Sequence, residues 1–370
     1  MASTTNKPKR ISQSQMAKDL DVSQALISMV LNGRERGITK ETVTRIWDYA
    51  TKHGYQPRGM QIYLNRHKQP AQLKNVGYIL RSPLKLTNNS TFFSHVNQGL
   101  YEALREDGTK TLFLGGEDDL SMEDPQRLTQ SCSGLKGIVI LGEVAEELVL
   151  KLASFQIPLV SISASCHGLC HSILPNDIQS ASQMVDHLVD LGHREFAWIG
   201  GNQNLARSDI RRNAIEMVLR RHKFSLDPSN ILSTDSADRQ DGYRSIQSIW
   251  EKKEGPKPTA LVCYNGLIAR GAIDYMLEHR IRAGKDFSVV AFDATRICQE
   301  SHPTITASSS IPEDMGREAV RLIIEEHAHP EEGKVFCDLT LPATLHIRES
   351  SGPAPSLASA SAPASRSVAK

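Results

Sequence analysis

Apolar residues recur at helical spacing in three short stretches near the N-terminus. The second stretch carries Ile27, Val30 and Leu31 on one face, and only Asp21 and Val22 separate it from the first stretch. Two short helices joined by so tight a turn are typical of a helix-turn-helix bundle. The pattern therefore predicts a bundle of three helices at this end of the chain.

From residue 75 the pattern changes to short apolar strands, and amphipathic helical stretches lie between most of them. The predicted strands are NVGYIL (75–80), KTLFLGG (110–116), KGIVILG (136–142), PLVSIS (158–163), EFAWIGG (195–201), TALVCYN (259–265) and FSVVAFD (287–293). Such alternation predicts parallel sheets, and seven strands in about 270 residues fit two doubly wound lobes better than one.

The predicted fold class is α + α/β, with an N-terminal helix-turn-helix bundle, a hinge segment and a two-lobed body of doubly wound parallel sheets. The expected parts are a disordered tail (1–10), the helix-turn-helix domain (11–56), the hinge or linker (57–72), the two-lobed domain (73–349) and an Ala/Ser/Pro-rich disordered tail (350–370).

Composition and charge indicate the class of protein and a candidate binding partner. The chain has 370 residues, of which 39% are hydrophobic and 23% charged, and no apolar run approaches the length of a membrane span. Six scattered cysteines indicate free thiols. Residues 1–70 contain 12 Lys/Arg and 5 Asp/Glu, and the remaining residues contain 31 Lys/Arg and 37 Asp/Glu. A basic N-terminal segment on a mildly acidic body suggests a module that meets an anion, most simply nucleic acid.

Several stretches together resemble the lactose/galactose repressor (LacI/GalR) family of bacterial transcription regulators. They are MAKDLDVSQALISMVLNG with ITKETVTRIWDYATKHGYQP, then DHLVDLGHREFAWIGG, FSVVAFD and LPATLHIRES, and the resemblance covers roughly residues 10–350. It implies a periplasmic-binding-protein-like body, a homodimer, a palindromic operator in double-stranded DNA and a small effector, most simply a carbohydrate. It also implies a cytoplasmic, nucleoid-associated repressor that is not an enzyme and needs no cofactor.

The resemblance implies that the second helix reads DNA bases with Gln24, Ala25 and Met29. A Gln amide can hydrogen-bond adenine, whereas Ala and Met offer apolar contact to thymine methyl groups. Met29 stands where the family usually has Arg, so we expect an operator that lacks the usual guanine at that step. The further DNA contacts expected around this helix are Ser23, Ser28, Asn32, Arg34 and Arg36.

The segment YQPRGMQIYLN aligns with the hinge helix of the family, and Leu64 falls on the leucine that wedges into the minor groove. An apolar wedge there unstacks a base step and kinks the duplex. Gly59 lowers the helix propensity of the segment by about 1 kcal/mol relative to Ala. A flexible linker whose Leu64 packs against the body is the alternative.

The resemblance also implies effector contacts in the cleft between the two lobes, at Phe92, Phe93, Arg211, Asn265 and Asp293. These residue types suit a polyol, because Asp accepts hydroxyl protons, Arg and Asn donate, and aromatic faces stack on the C–H surface of a sugar. Two alternatives stay open: Arg212 could replace Arg211 by a shift of one residue, and Asp293 could simply cap a turn.

The sequence also suggests other kinds of site and function. CHGLCH (166–171) offers potential zinc ligands, but no second cluster completes a known spacing, so no metal site is expected. A small-molecule carrier with the same body, or an enzyme of sugar metabolism, would need no helix-turn-helix, and no nucleophile–base pair stands out. Whether the effector releases the protein from DNA or promotes its binding stays open.

Overall fold

The computed structural model describes residues 12–31, 38–53, 75–81, 91–106, 108–120, 125–252, 255, 257–328 and 335–355. The chain divides into two compact units, Met1–Ala71 and Gln72–Lys370. This division falls within the predicted hinge, and each unit is described by itself.

The N-terminal unit contains helices α1 (Gln13–Asp19), α2 (Gln24–Leu31) and α3 (Lys40–Lys52) in its described residues. Their buried apolar side chains form one small core, made of Met16, Ala17, Ile27, Val30, Leu31, Ile46 and Ala50. The helices are too short to be stable alone, so this core is what holds them. The predicted helix-turn-helix bundle is confirmed.

The turn between α1 and α2 requires an unusual backbone conformation. Asp21 has φ +53°, in the left-handed region that most side chains avoid. Asp is among the few residues besides Gly that enter this region readily. The Ser23 Oγ then accepts a hydrogen bond from the Leu26 N–H at 3.1 Å and caps α2. These local preferences fix the angle at which α2 leaves the turn.

The first lobe of the body is a parallel sheet covered by helices. Its strands are β1 (Asn75–Leu80), β2 (Lys110–Gly116), β3 (Leu135–Leu141), β4 (Leu159–Ile162), β5 (His171–Pro175) and β11 (Asp338–Leu341), and its helices are α4 (Thr91–Glu106), α5 (Pro125–Cys132), α6 (Glu146–Ala153) and α12 (Pro312–Ala328). Across the described residues the strand order is β11-β5-β4-β3-β1-β2. Every neighbouring pair is parallel.

The second lobe repeats this architecture. Its strands are β6 (Phe196–Ile199), β7 (Ile231–Leu232), β8 (Ala260–Cys263), β9 (Ser288–Phe292), β10 (Thr306–Ser309) and β12 (Thr344–His346), and its helices are α7 (Asp177–Asp190), α8 (Ala206–Arg221), α9 (Arg239–Trp250), α10 (Gly266–Glu278) and α11 (Arg296–Glu300). Across the described residues the order is β12-β10-β9-β8-β6-β7, and only β12 runs antiparallel to its neighbour.

Each of the seven predicted strands is present, and the two doubly wound lobes are confirmed. The strands that the sequence pattern missed are short or polar. β10 is TASS, and all four of its residues are buried. Its Thr306 and Ser308 hydroxyls hydrogen-bond the Arg348 carbonyl and the Gln183 side chain. Because these buried hydroxyl groups have hydrogen-bond partners, the strand can be buried without apolar side chains. A pattern of hydrophobic residues therefore does not predict β10.

Within the described residues, the chain passes from one lobe to the other after β5, after β10 and after β11. One buried side chain joins these three segments. The Ser310 Oγ donates to the Leu341 carbonyl at 2.7 Å and accepts from the Asn176 N–H at 3.1 Å. Asn176 N–H also donates to Leu341 O at 3.2 Å. The three crossings therefore form one hydrogen-bonded junction.

The disordered tail expected from residue 350 requires a correction. Ser350 is fully buried, and its Oγ donates to the Val289 carbonyl at 2.6 Å while its own carbonyl accepts from the Val289 N–H at 2.8 Å. Gly352 N–H donates to Ser288 Oγ at 3.0 Å. Backbone atoms make most of these contacts, so the Ala/Ser/Pro composition gave no sign of them. The packed body extends to Pro355, and residues 356–370 lie outside the described residues.

Candidate functional site

Helix α2 presents a polar and apolar mixture on its solvent side. Gln24, Ala25 and Met29 are exposed, Met29 with 41% of its surface, and Ser28 is half-buried beside them. The opposite face is buried in the core of the bundle. The predicted base-reading residues therefore share one exposed face, free of charged side chains. Asn32, Arg34, Arg36 and Leu64 lie outside the described residues.

Contacts from α1 to α3 hold this face in place. Tyr49 donates a hydrogen bond to the Asp19 carboxylate, which also accepts from the Gln15 amide at 2.8 Å. The bond from Tyr49, followed by that from Gln15, lowers the pKa of Asp19. Arg45 donates to the Leu20 carbonyl at 3.1 Å. These bonds fasten the two helices that flank α2, so the reading face is presented on a fixed frame.

A cavity of about 1180 Å³ lies between the two lobes of the body. The carboxyl ends of parallel strands meet there, which is the usual ligand position in doubly wound sheets. Its lining includes Arg81, Phe92, Phe93, Gly142, Glu143, Ser163, Asn202, Leu205, Arg207, Tyr243, Tyr264, Asn265 and Asp293. Four of the five predicted effector residues therefore lie in one cavity.

Asp293 and Arg211 form a bidentate ion pair at the end of β9. Arg211 Nη2 lies 2.6 Å from Asp293 Oδ1, and Nη1 lies 3.1 Å from Oδ2. Arg211 Nε donates to Asp177 at 3.1 Å. Asp293 has φ +62°, which turns its backbone sharply after the strand. The pair aims the Asp293 carboxylate, 16% exposed, toward the cavity.

Arg211 itself is 1% exposed and is not among the residues that line the cavity. Its guanidinium carbon lies 4.8 Å from the Tyr264 ring centre and 4.6 Å from that of Phe292. Burial alone would lower the pKa of Arg211, but the charges of Asp177 and Asp293 outweigh it and raise the pKa. Arg211 thus holds Asp293 from behind as a permanent cation.

The adjacent Arg212 lies on the surface and pairs with Asp209 at 3.0 Å and Glu216 at 3.8 Å. Its side chain is 35% exposed, whereas that of Arg211 is 1% exposed. The sequence left open whether Arg211 or Arg212 points toward the cleft, and in the structure Arg211 is the residue that points inward.

Asn265 lines the cavity from the start of α10. Its Oδ1 accepts from the Ile268 N–H at 2.8 Å and caps the helix, while Nδ2 donates to the Ala237 carbonyl at 2.9 Å. An amide held at both ends keeps a fixed orientation. The remaining lone pair of Oδ1 and second hydrogen of Nδ2 are the groups that Asn265 can offer to a ligand.

Phe92 and Phe93 lie in the first turn of α4, with ring centres 5.2 Å apart and planes at 86°. Both line the cavity. The Arg207 guanidinium lies 5.7 Å from the Phe92 ring centre, within the range of a cation–π contact. Arg207 Nη1 also donates to the Ser163 carbonyl at 3.3 Å. This edge of the cavity combines apolar ring faces with one cationic donor.

Five further cavity residues were not expected from the sequence: Arg81, Glu143, Ser163, Arg207 and Tyr264. Four of them lie just beyond the ends of strands: Arg81 after β1, Glu143 after β3, Ser163 after β4 and Tyr264 after β8. Their position after a strand is the feature of the sequence that could have identified them as cavity residues. Arg207 lies in the first turn of α8, one turn before Arg211. Glu143 Oε2 accepts from the Ala206 N–H at 3.1 Å and so bridges the two lobes.

No helix in the described part of the chain is long and apolar enough to cross a membrane. Nor do the described residues bring together three or more His, Cys, Asp or Glu side chains that could hold a metal ion.

The two-lobed body with a ligand-sized cleft follows a helix-turn-helix unit in the sequence, and together they define the class: a periplasmic-binding-protein-like protein with a helix-turn-helix module. The family model described as "periplasmic binding protein-like domain" matches residues 185–351. The HTH-type transcriptional repressor PurR of Haemophilus influenzae (strain PittEE) is 24% identical over 343 residues, which cover 90% of this chain and 97% of the relative. The HTH-type transcriptional repressor MelR of Bacillus subtilis (strain 168) is 25% identical, with coverage of 90% and 94%. These matches support the resemblance of the chain to the LacI/GalR family.

Solved structures show the same fold along the chain. The transcriptional regulator CelR in complex with cellobiose has a TM-score of 0.65 at 19% identity, and it covers 92% of this chain and all of its own. The lac repressor dimer bound to operator and an anti-inducer has a TM-score of 0.63 at 18% identity, with coverage of 92% and 99%.

Proposed function

We propose that this protein is a ligand-responsive, sequence-specific DNA-binding transcription regulator that acts as a repressor. It binds a palindromic operator in double-stranded DNA as a homodimer, and a small carbohydrate in the cleft changes its affinity for DNA. As a regulator of chromosomal genes it acts in the cytoplasm and catalyses no reaction. The relatives that match almost the whole chain are named as repressors, which supports this function.

One observation carries the DNA-binding part of the proposal: Gln24, Ala25 and Met29 share the exposed face of α2. A helix of this size enters the major groove, where amide and methyl groups distinguish base pairs. Affinity comes from flanking positive charge, because phosphate contacts position a protein without reading sequence. Arg34 and Arg36 are the proposed phosphate contacts, and Leu64 is the proposed minor-groove wedge.

The cleft supports a polyhydroxylated effector. Asp293 offers a carboxylate that accepts hydroxyl protons, Asn265 offers one donor and one acceptor, and Arg207 offers donors. The rings of Phe92 and Phe93 suit the C–H face of a sugar. The CelR structure named above holds cellobiose, which agrees with this chemistry.

Selection of bound sequences from a random pool of duplex DNA tests the proposal, when repeated with a panel of sugars. We expect a palindromic consensus with half-sites about one helical turn apart, without the usual guanine opposite Met29. Gln24→Ala should lose about 1–3 kcal/mol of discrimination at one base pair. The Ser14→Ala variant, changed at an exposed position of α1, is the matched control. A pool that yields no consensus would exclude sequence-specific binding, and a consensus without twofold symmetry would exclude the dimer.

A further inference from the structure

Two buried cysteines, Cys166 and Cys170, lie in the connection between β4 and β5, which the proposed function does not use. The Leu169 N–H donates to the Cys166 carbonyl at 3.0 Å, and His167 and Gly168 have φ of +48° and +85°. This tight turn reverses the chain between Cys166 and Cys170, and both side chains are buried in the same apolar cluster. Each thiol also shifts the pKa of the other.

The two thiols differ in their access to solvent. Cys166 is 9% exposed and Cys170 is 1% exposed. The Cys166 N–H donates to Ser172 Oγ at 3.1 Å, which fastens the turn to β5. Cys166 is therefore the more accessible of the two cysteines to a small reagent.

We propose that Cys166 and Cys170 form a redox-modification site, at which a hydroperoxide such as hydrogen peroxide converts the thiol pair into a disulfide. The Cys166 sulfur attacks one peroxide oxygen, the O–O bond breaks, one water leaves and a sulfenic acid forms on Cys166. The Cys170 sulfur then attacks the Cys166 sulfur, the S–S bond forms, and the hydroxyl leaves as water with the Cys170 proton. The thiols lose two electrons, and one peroxide is reduced to two waters.

The three other buried cysteines of the two lobes contrast with this pair. Burial raises the pKa of Cys132 to about 11 and that of Cys298 to about 12, and it raises the pKa of Cys263 as well. The hydrogen bond from Cys170 instead lowers the pKa of Cys166, and it raises that of Cys170. Because the thiolate is the nucleophile, Cys166 attacks and Cys170 resolves.

The same segment reaches the cleft. Ser163 begins it with φ +71°, lines the cavity, and accepts a hydrogen bond at its carbonyl from Arg207. A disulfide needs an S–S distance near 2.05 Å, shorter than a hydrogen-bonded thiol pair. Closing that distance shortens the turn and fixes the segment that carries Ser163. The disulfide therefore stiffens one wall of the cleft, whatever ligand the cleft binds.

The test uses the full-length, reduced protein under native conditions. Brief treatment with hydrogen peroxide, followed by alkylation in denaturant and mass spectrometry, should reduce the alkylated thiols from six to four. Peptide mapping should find a Cys166–Cys170 cross-link that is lighter by two hydrogen atoms and is reversed by reductant. Hydrogen exchange of the 163–172 peptide should slow at least tenfold in the oxidised protein.

Single variants assign the two roles. In Cys170→Ser, a sulfenic-acid trap should label residue 166, whereas in Cys166→Ser it should leave residue 170 unlabelled. Cys132→Ser is the matched control, since Cys132 packs in the same apolar cluster, and it should form the cross-link at the wild-type rate. Six thiols that remain after treatment, or a cross-link that joins any other pair, would overturn the proposal. Mapping of the wild-type protein decides this even where a variant folds poorly.

Discussion

At the scale of single residues, the buried cation of Arg211 fixes the orientation of the Asp293 carboxylate in the cleft. Asp293 faces the cavity, while Arg211 behind it satisfies both Asp293 and Asp177. Removing one partner of a buried ion pair costs about 3–5 kcal/mol, because the remaining charge stays buried without compensation. Here two carboxylates would be left facing each other across the site of the lost cation.

Arg211→Gln should therefore lower the free energy of unfolding by about 3 kcal/mol or more. It should also weaken effector binding at least tenfold, since Asp293 loses its fixed orientation. The neighbouring Arg212→Gln is the matched control, because its exposed pairs with Asp209 and Glu216 contribute at most about 1 kcal/mol. Urea unfolding and ligand titration of both variants check this, and equal stability of the two would refute the supporting role of Arg211.

At the scale of elements, strands were more predictable from the sequence than side-chain roles. Apolar runs located β9 and hence placed Asp293 at the cavity, because a buried parallel strand leaves a strong hydrophobic signal. Arg211 was predicted in the cleft, and only the packing of Tyr264 and Phe292 shows that it lies behind it. Strand β10 left no signal, since its hydroxyls replace apolar contacts.

Helix α2 is the proposed DNA-recognition element, and its exposed face can be changed without disturbing the fold. Met29 is exposed and makes no contribution to the buried core of the bundle. Met29→Arg should add one phosphate or guanine contact, which steepens the slope of log affinity against log salt by about 1. The selected operator should also gain a guanine at the corresponding step.

Binding titrations over a range of salt concentrations measure this slope. Met217→Arg adds the same charge at a half-exposed position of α8 in the body and should leave the slope unchanged. If both variants steepen the slope equally, net charge and not the position on α2 is responsible.

At the scale of the whole molecule, buried imidazoles tie stability to pH. His193 is fully buried, with Nε2 3.0 Å from the Gly352 carbonyl and Nδ1 2.9 Å from the Thr259 hydroxyl. A carbonyl can only accept, so Nε2 carries the proton of the neutral ring. Burial lowers the pKa of His193, and the smaller loss of hydration at the half-buried His187 and at His346 lowers their pKa values too.

Because the folded-state pKa of His193 is depressed, its contribution to stability is complete above the unfolded pKa of about 6.5. Below that pH the unfolded chain binds the proton first, so stability falls until the folded protein is protonated too. The free energy of unfolding should therefore be lower at pH 5.5 than at pH 8. Urea titrations at both values should show a smaller difference for His193→Gln, with the exposed His167→Gln as control. An unchanged difference would contradict the assignment.

The junction at Ser310 has a consequence for the order in which the protein is made. The first lobe takes helix α12 and edge strand β11 from the last fifth of the chain, so it stays unfinished until the ribosome has synthesised nearly everything. In contrast, the described core of the helix-turn-helix unit lies within the first 53 residues. A nascent chain therefore carries α2, the proposed base-reading helix, long before it carries the complete cleft. A polypeptide that stops short of β11 has the helices of the N-terminal unit and lacks an edge strand of the first lobe.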